Sequence, residues 1–321
     1  MNVQEQVLQE TIDPFLSDRA LSRIASEALE QEVWVEGYRV LTGGCWNRVV
    51  GIRAGERDLV VKIAPRTADE GIAREFSVLS MFVEQSELPV PEPLLVSTEG
   101  EVIPGSLLVM SRVPGAVMHE CFGLLNYGQR RAITDQIAAD LSRLHEIRGE
   151  GFGGVELAPG ERFASWPEFW LPRYDRVLEE VAASGSIPSD ILDGAYKLRP
   201  MLEEPLSIGS SSTLTHYDIW SGNVMIDLES GPPRVSGYID IPGYYADYAR
   251  ELSFAMLFGI ANRRFFATYL ESHQLDPGFE LRANIYNVKM NIKHIQMYPH
   301  QMVYQQGARE NLRFALSELG G

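Results

Sequence analysis

Thr215-His216-Tyr217-Asp218-Ile219-Trp220-Ser221-Gly222-Asn223 is the stretch on which the reading of this 321-residue chain turns. It holds the spacing His-x-Asp-x-x-x-x-Asn and is followed, after a hairpin-like stretch, by Tyr238-Ile239-Asp240. Phosphoryl transfer to a hydroxyl needs a carboxylate that orients the alcohol and accepts its proton. It also needs oxygen ligands that hold Mg²⁺ against nucleotide phosphates. An Asp at the start of a loop and an Asn five residues later can face one cleft from opposite ends of that loop. A second Asp at the end of the next strand can then bridge the metal. The bland reading is that Asp218 and Asn223 make only turn and capping bonds, as these residue types often do.

Working upstream, Val60-Val61-Lys62-Ile63 places a lysine inside an otherwise apolar strand, which is costly unless that lysine is paired or bound. Thirteen residues on, Ile72, Glu75, Phe76 and Leu79 fall at i, i+3, i+4 and i+7 of a helical pattern, so Glu75 points inward with the apolar stripe. An inward glutamate after a strand lysine is the arrangement that holds a lysine toward nucleotide phosphates.

The surrounding pattern supports a small β-rich lobe followed by a larger α-rich one, divided near residue 113. A helix is expected over 18–31 with Ser17 as its N-cap. Segments 33–42, 47–54 and 57–64 read as an antiparallel meander, followed by a helix over 69–85 and strands near 93–97 and 107–111. Beyond Val113-Pro114-Gly115, helices are expected over 129–147, 167–183 and 189–203. Short strands follow around 213–217, 223–228 and 235–240, and then helices broken at Pro277 and Pro299.

Composition narrows the classes. Lys plus Arg is 28 against 44 for Asp plus Glu, a formal charge of −16, and such a surface repels a phosphate backbone. No nucleic-acid partner is therefore expected. No run of about 18 apolar residues and no signal peptide are evident, so no membrane partner is expected either. The two cysteines, Cys45 and Cys121, make no Cys-x-x-Cys motif, which favours a reducing cytoplasm. The six histidines lack the His-x-x-x-His spacing of a zinc site, and Ser221 lies in no Gly-x-Ser-x-Gly elbow. His216 reads as a packing and hydrogen-bonding residue that fixes the loop. Trp166, Phe169, Trp170 and Tyr174 read as core, and Lys289, Lys293, Arg309 and Arg313 as solvated helix faces.

The loop Asp218-Ile219-Trp220-Ser221-Gly222-Asn223 resembles the Asp-Leu-Trp-Ser-Gly-Asn loop of the fructosamine kinases. Asp240-Ile241-Pro242-Gly243-Tyr244-Tyr245 resembles their Asp-Pro-x-x-Tyr-Tyr stretch, and Leu141-Ser142-Arg143-Leu144-His145 resembles the Leu-His helix end of the wider superfamily. The chain is thus similar, over roughly residues 36–260, to the aminoglycoside phosphotransferase and fructosamine kinase family. The resemblance implies an α+β, two-lobed protein-kinase-like fold. Its N-terminal nucleotide-binding lobe, with a small antiparallel sheet, one helix and the leading helix 18–31, would span 1–112. A larger helical lobe for catalysis and acceptor binding would span 113–321.

It further implies Asp218 as catalytic base and Asn223 and Asp240 as magnesium ligands. Lys62 would meet the phosphates of ATP or another purine nucleoside triphosphate, positioned by Glu75. Thr42-Gly43-Gly44 would begin the loop over those phosphates, and Met110-Ser111-Arg112-Val113 would form the hinge whose backbone meets adenine. The chain departs from the family pattern at Tyr217, where Gly is usual, at Ile241, where Pro is usual, and at Glu251, where an Asp-Leu-Ala helix start is common.

Three functions fit this constellation: a kinase for a hydroxyl on a small metabolite or antibiotic, a kinase acting on protein side chains, and a nucleotide-binding pseudokinase. Asp247 follows Asp240 by seven positions and no Ala-Pro-Glu element intervenes, too little chain for a protein-kinase activation segment. Lys62, Asp218, Asn223 and Asp240 are all present, which argues for turnover. The small-molecule kinase leads. The acidic balance, with Glu168, Asp175, Glu271 and Glu310 in the C-terminal lobe, would draw a cationic hydroxyl acceptor, and the resemblance implies an amino sugar, a fructosamine or another amine-bearing compound. The alternative reading makes these acids a solvated surface and the pocket apolar and neutral.

Overall fold

The computed structural model of the protein describes residues 10–41, 47–208 and 211–320. The chain divides into two compact units. One consists of residues up to Gly115 together with Ser236–Ile241; the other holds Ala116–Val235 and the chain from Pro242 onward.

The first unit is built on a five-stranded antiparallel sheet. In chain order the strands are β1 (Arg39–Val40), β2 (Arg48–Ala54), β3 (Arg57–Ala64), β4 (Pro93–Ser97) and β5 (Ser106–Ser111), and across the sheet they run β1-β2-β3-β5-β4. The meander read from the sequence is there, but its first strand is short: only Arg39–Val40 pair with β2, while Val35 makes one isolated bridge to Ala54. The two-residue period of β3 sorts its side chains by face. Leu59, Val61 and Ile63 are fully buried in one core with Val50, Ile52, Leu107 and Val109. Leu21, Ile24 and Ala25 of the Asp18–Leu29 helix close the same core, and the Ser17 hydroxyl caps that helix by accepting from the Ala20 amide.

Lys62 therefore projects from the other face of β3, toward the Glu70–Gln85 helix, whose Ile72, Val78, Leu79 and Phe82 are buried. Pro93 opens β4 at the sheet edge, where a missing N–H does no harm.

The second unit is mainly helical. Asn126 and Gln129 form a capping box for the helix Tyr127–Leu144, which buries Ile133, Ile137, Leu141 and Leu144 as one stripe. Later helices are Trp166–Ser184, Ser189–Leu198, Tyr248–Leu257, Arg263–Tyr269, Phe279–Met297 and Met302–Gly320, so the chain does break around Pro277 and Pro299. Two small ladders carry the loops of interest. In one, β6 (Ala116–Val117) pairs with β9 (Val224–Asp227); in the other, β7 (Gly153–Gly154) and β8 (Thr213–Thr215) flank the strand Tyr244–Ala246.

Fully buried Arg282 ties the C-terminal helices to this frame. Its guanidinium bonds Asp247, the N-cap of Tyr248–Leu257, and also Asp276. Desolvation opposes that charge, but the two carboxylates outweigh it and hold the guanidinium even further above neutrality than usual.

Candidate active site

In the first unit, the Lys62 ammonium lies 2.7 Å from Glu75 Oε2 and 3.2 Å from Asp240 Oδ1. Burial works against the lysine charge, but the Asp240 and Glu75 carboxylates outweigh it and raise its pKa. Burial also pushes Glu75 upward, against the pull of Lys62. Asp240 reaches this cluster because Ser236–Ile241 docks along residues 89–114. The Tyr238 amide donates to the Pro89 carbonyl at 2.8 Å, and Ser236 donates to the carbonyl of Pro114. A Cβ on Gly237 would stand 2.8 Å from both the Pro89 oxygen and Val113 Cγ1, so this crossing requires glycine. Asp240 itself sits at φ +53°, in the left-handed region that non-glycine residues rarely occupy.

At the proposed hinge, Met110 is buried. The amides of Ser111 and Arg112 already donate to the carbonyls of Glu92 and Asp58. Thr42, Gly43 and Gly44 lie outside the described residues.

In the second unit the loop between β8 and β9 carries Asp218 and Asn223. The Asn223 amide nitrogen donates to Asp218 Oδ2 at 2.8 Å and to the Asp218 carbonyl at 3.0 Å, which fixes the carboxylate against its own loop. With its nitrogen engaged in this way, the planar amide turns its own oxygen, Asn223 Oδ1, away from the Asp218 carboxylate. Fully buried His216 accepts from the Asp218 amide through Nδ1, while its carbonyl accepts from Gly243. Trp220 folds back over Gly222, and a Cβ there would fall inside the indole ring. Bulk, not backbone conformation, is what Gly222 avoids.

Tyr217 is the departure with structural consequences. It adopts φ +79°, a conformation that glycine takes freely and tyrosine does not. Three contacts hold it there. Its amide donates to a Glu251 carboxylate oxygen, its carbonyl accepts from Arg250, and its ring packs 4.4 Å from Tyr244 with the Arg250 guanidinium 3.6 Å from the ring centroid. The other Glu251 oxygen bonds His145 Nε2 at 2.6 Å, and His145 Nδ1 lies 2.8 Å from the Tyr269 hydroxyl. Burial alone would raise the Glu251 pKa; the hydrogen bond from His145 and the Tyr217 amide outweigh it and lower it. Asp247, four residues earlier, takes the helix-capping role by accepting from the Ala249 amide. The sequence marked Tyr217 and Glu251 as separate departures and gave no sign that each supports the other.

The lysine at 289 corrects the expectation of a solvated helix face. Lys293 does pair with Glu180 and Arg309 with Asp190, at partly exposed positions. Lys289 instead turns onto the ring of buried Trp170, 5.1 Å from its centroid. Trp166, Phe169, Trp170 and Tyr174 are core, as their spacing suggested. Of the acids expected to draw a cation, Glu168 caps its own helix, Asp175 pairs with Arg199, Glu310 accepts from Gln306, and Glu271 is exposed.

Mg²⁺ is held by hard oxygen donors, and the Asp240 carboxylate in the first unit and the Asn223 amide oxygen in the second are each of that kind. Among the described residues no group of three or more His, Cys, Asp or Glu side chains could hold a metal by itself.

The profile of the phosphotransferase enzyme family (APH) matches residues 37–270, well over half of the sequence. The chain belongs to that family. A "Probable ketoamine kinase" of Synechocystis sp. is 24% identical over 307 residues, covering 93% of this chain and 96% of that protein. Among solved structures, a "putative fructosamine-3-kinase" of Thermobifida fusca superposes with a TM-score of 0.73 at 18% identity, covering 92% of this chain and 98% of that one. The streptomycin–ATP complex of the aminoglycoside phosphotransferase APH(2")-IIa gives a TM-score of 0.61 at 16% identity, covering 92% and 96%. The fold is thus the protein-kinase-like α+β fold of these enzymes, and the protein is a phosphotransferase. Among the described residues no helix is long and apolar enough to cross a membrane.

Proposed function

We propose that this phosphotransferase moves the terminal phosphoryl group of ATP to a hydroxyl of a small amine-bearing sugar of the ketoamine class. Asp218 orients that hydroxyl and takes its proton. Lys62, restrained by Glu75, meets the nucleotide phosphates, and the first unit acts as the nucleotide-binding part while the second binds the acceptor. Asn223 and Asp240 would hold Mg²⁺, which when bound neutralises charge on the phosphate oxygens. Lys62 and Asp240 hold each other in the structure, and nucleotide would draw the lysine to phosphate and the aspartate to the cation.

The observation that carries this reading is the Asp218–Asn223 pair. One amide pins the carboxylate through nitrogen and presents its oxygen elsewhere, as a base and a metal ligand sharing one loop require. The test is Asp218→Asn, assayed for transfer to a panel of ketoamines and amino sugars. Nucleotide affinity should stay near normal while turnover falls by ~10²–10⁴-fold, the usual worth of a general base. Near-normal turnover in a verified pure sample removes Asp218 from the chemistry. Absence of transfer by the unaltered protein to every acceptor supports nucleotide binding without turnover.

A further inference from the structure

A chain with 44 acidic and 28 basic side chains has carboxylates to spare for every buried cation. Among the described residues three cations of the second unit, buried Arg250 and partly buried Arg173 and Lys289, nevertheless pair with none. Arg250 gives its hydrogen bonds to the Tyr217 carbonyl and to Met290 Sδ, with the rings of Tyr217 and Phe254 beside it. Arg173 donates to the carbonyl of Phe169, one turn back across Pro172, and lies 3.7 Å from the Phe169 ring centroid. Lys289 has the Trp170 face and, among the described residues, neither a hydrogen-bond acceptor nor an ion-pair partner.

These groups are joined through aromatic rings beside the loop that carries Asp218: Arg173 lies on Phe169, whose ring is 5.7 Å from Tyr244, and Tyr244 packs 4.4 Å from Tyr217. Met290, the neighbour of Lys289, touches the Arg250 guanidinium, and Arg250 in turn holds Tyr217, the residue before Asp218. Burial and then the charges of Arg250 and Arg173 push the Lys289 ammonium down to about 7, with Lys293 and Arg176 contributing less. Acids of the same helices and of the Tyr217 turn have other partners: Glu180 pairs with Lys293, Asp175 with Arg199, and Glu251 with His145 and the Tyr217 amide.

Clustering like charges against aromatic faces is unfavourable unless an opposite charge completes the set. Anchoring the left-handed turn at Tyr217 accounts for Arg250. It leaves Lys289, which anchors nothing, unexplained.

We propose that Lys289 and Arg173, with the charge of Arg250 behind them, form an acceptor subsite for an anionic group, a carboxylate or a phosphate. The substrate is then a hydroxyl compound that carries negative charge as well as its amine. A ketoamine made from a free amino acid has this chemistry; one whose carboxyl is blocked does not. The inference rests on the kinase reading above and names the substrate class of the same site.

The test compares three acceptors at fixed ATP and Mg²⁺: the fructose ketoamines of glycine, of glycinamide and of aminomethylphosphonate. A charge-assisted contact predicts kcat/KM roughly 10- to 100-fold higher for an anionic acceptor than for the amide. The better of glycine and aminomethylphosphonate tells carboxylate from phosphate. Lys289→Met and Arg173→Gln should each shrink that preference to within about threefold, by the loss of the same contact. Equal kcat/KM across the three acceptors, or a preference that survives both substitutions, overturns the subsite.

If none of the three is phosphorylated, the ketoamine reading fails and the subsite is judged separately. Saturation-transfer NMR of acetate and of methylphosphonate, without nucleotide, should show binding to the unaltered protein that Lys289→Met abolishes. Absence of Lys289-dependent binding of either anion overturns the proposal.

Discussion

Replacing Lys289 by methionine should stabilise the protein near neutral pH, and the size of the gain follows from where the ammonium sits. Its pKa falls from the ordinary 10.5 to about 7, first through burial and then through the charges of Arg250 and Arg173. A lysine whose folded pKa lies below its unfolded value opposes folding wherever the unfolded chain holds the proton. The penalty is full below about 7. It shrinks as pH rises and vanishes above the unfolded value of ~10.4. At ~1.4 kcal/mol per pKa unit the ceiling is about 5 kcal/mol, and partial exposure and local relaxation reduce it severalfold.

Methionine keeps most of the stem packing against Trp170 but loses the cation–π contact, worth ~0.5–1 kcal/mol. The net expectation is a gain of ~1–3 kcal/mol at pH 6.5 and none at pH 10.5. Denaturant unfolding of both proteins at the two pH values measures this directly, because groups common to both cancel in the difference. A less stable variant at pH 6.5, or an equal difference at both values, refutes the reasoning. The same substitution should impair anionic acceptors, so stability and function are expected to move in opposite directions.

Other outcomes follow from the site. Asp240→Ala should remove the Mg²⁺ dependence of nucleotide affinity, whereas Lys62→Ala should weaken nucleotide binding and leave that dependence in place; calorimetry with and without Mg²⁺ separates the two. Gly222→Ala should cost ~1–3 kcal/mol by forcing Trp220 off the loop that carries Asn223, and Gly222→Ala/Trp220→Leu should recover much of it in a double-mutant cycle. Glu251, with its folded pKa lowered, contributes stability that is present above the unfolded carboxylate value of ~4.3 and lost as pH falls through the folded value. Glu251→Gln should therefore narrow the stability difference between pH 7 and pH 3.5, and a loss with unchanged acid sensitivity would count against that role.

Much of this protein could be read from its residues because the signals involved are local. The alternation of Leu59, Val61 and Ile63 places Lys62 on the opposite face of its strand, and the helical phase of Ile72 and Leu79 aims Glu75 the same way. The spacing of Asp218 and Asn223 within one short loop similarly predicts a shared task. These relations depend only on strand pleat, helix turn and loop length, so sequence carries them in full.

What needed the tertiary structure were contacts between segments far apart in the chain. That Tyr217 could stand where glycine is usual depends on Glu251 and Arg250, more than thirty residues away, supplying the bonds that hold its backbone left-handed. That Lys289 is tucked against Trp170 rather than solvated depends on two helices meeting, and no periodicity within either one records which neighbour it meets. A side chain's charge is written in the sequence. Its desolvation, and whether an opposite charge waits beside it, are set only by the packing of remote segments, and those two quantities decide the energy.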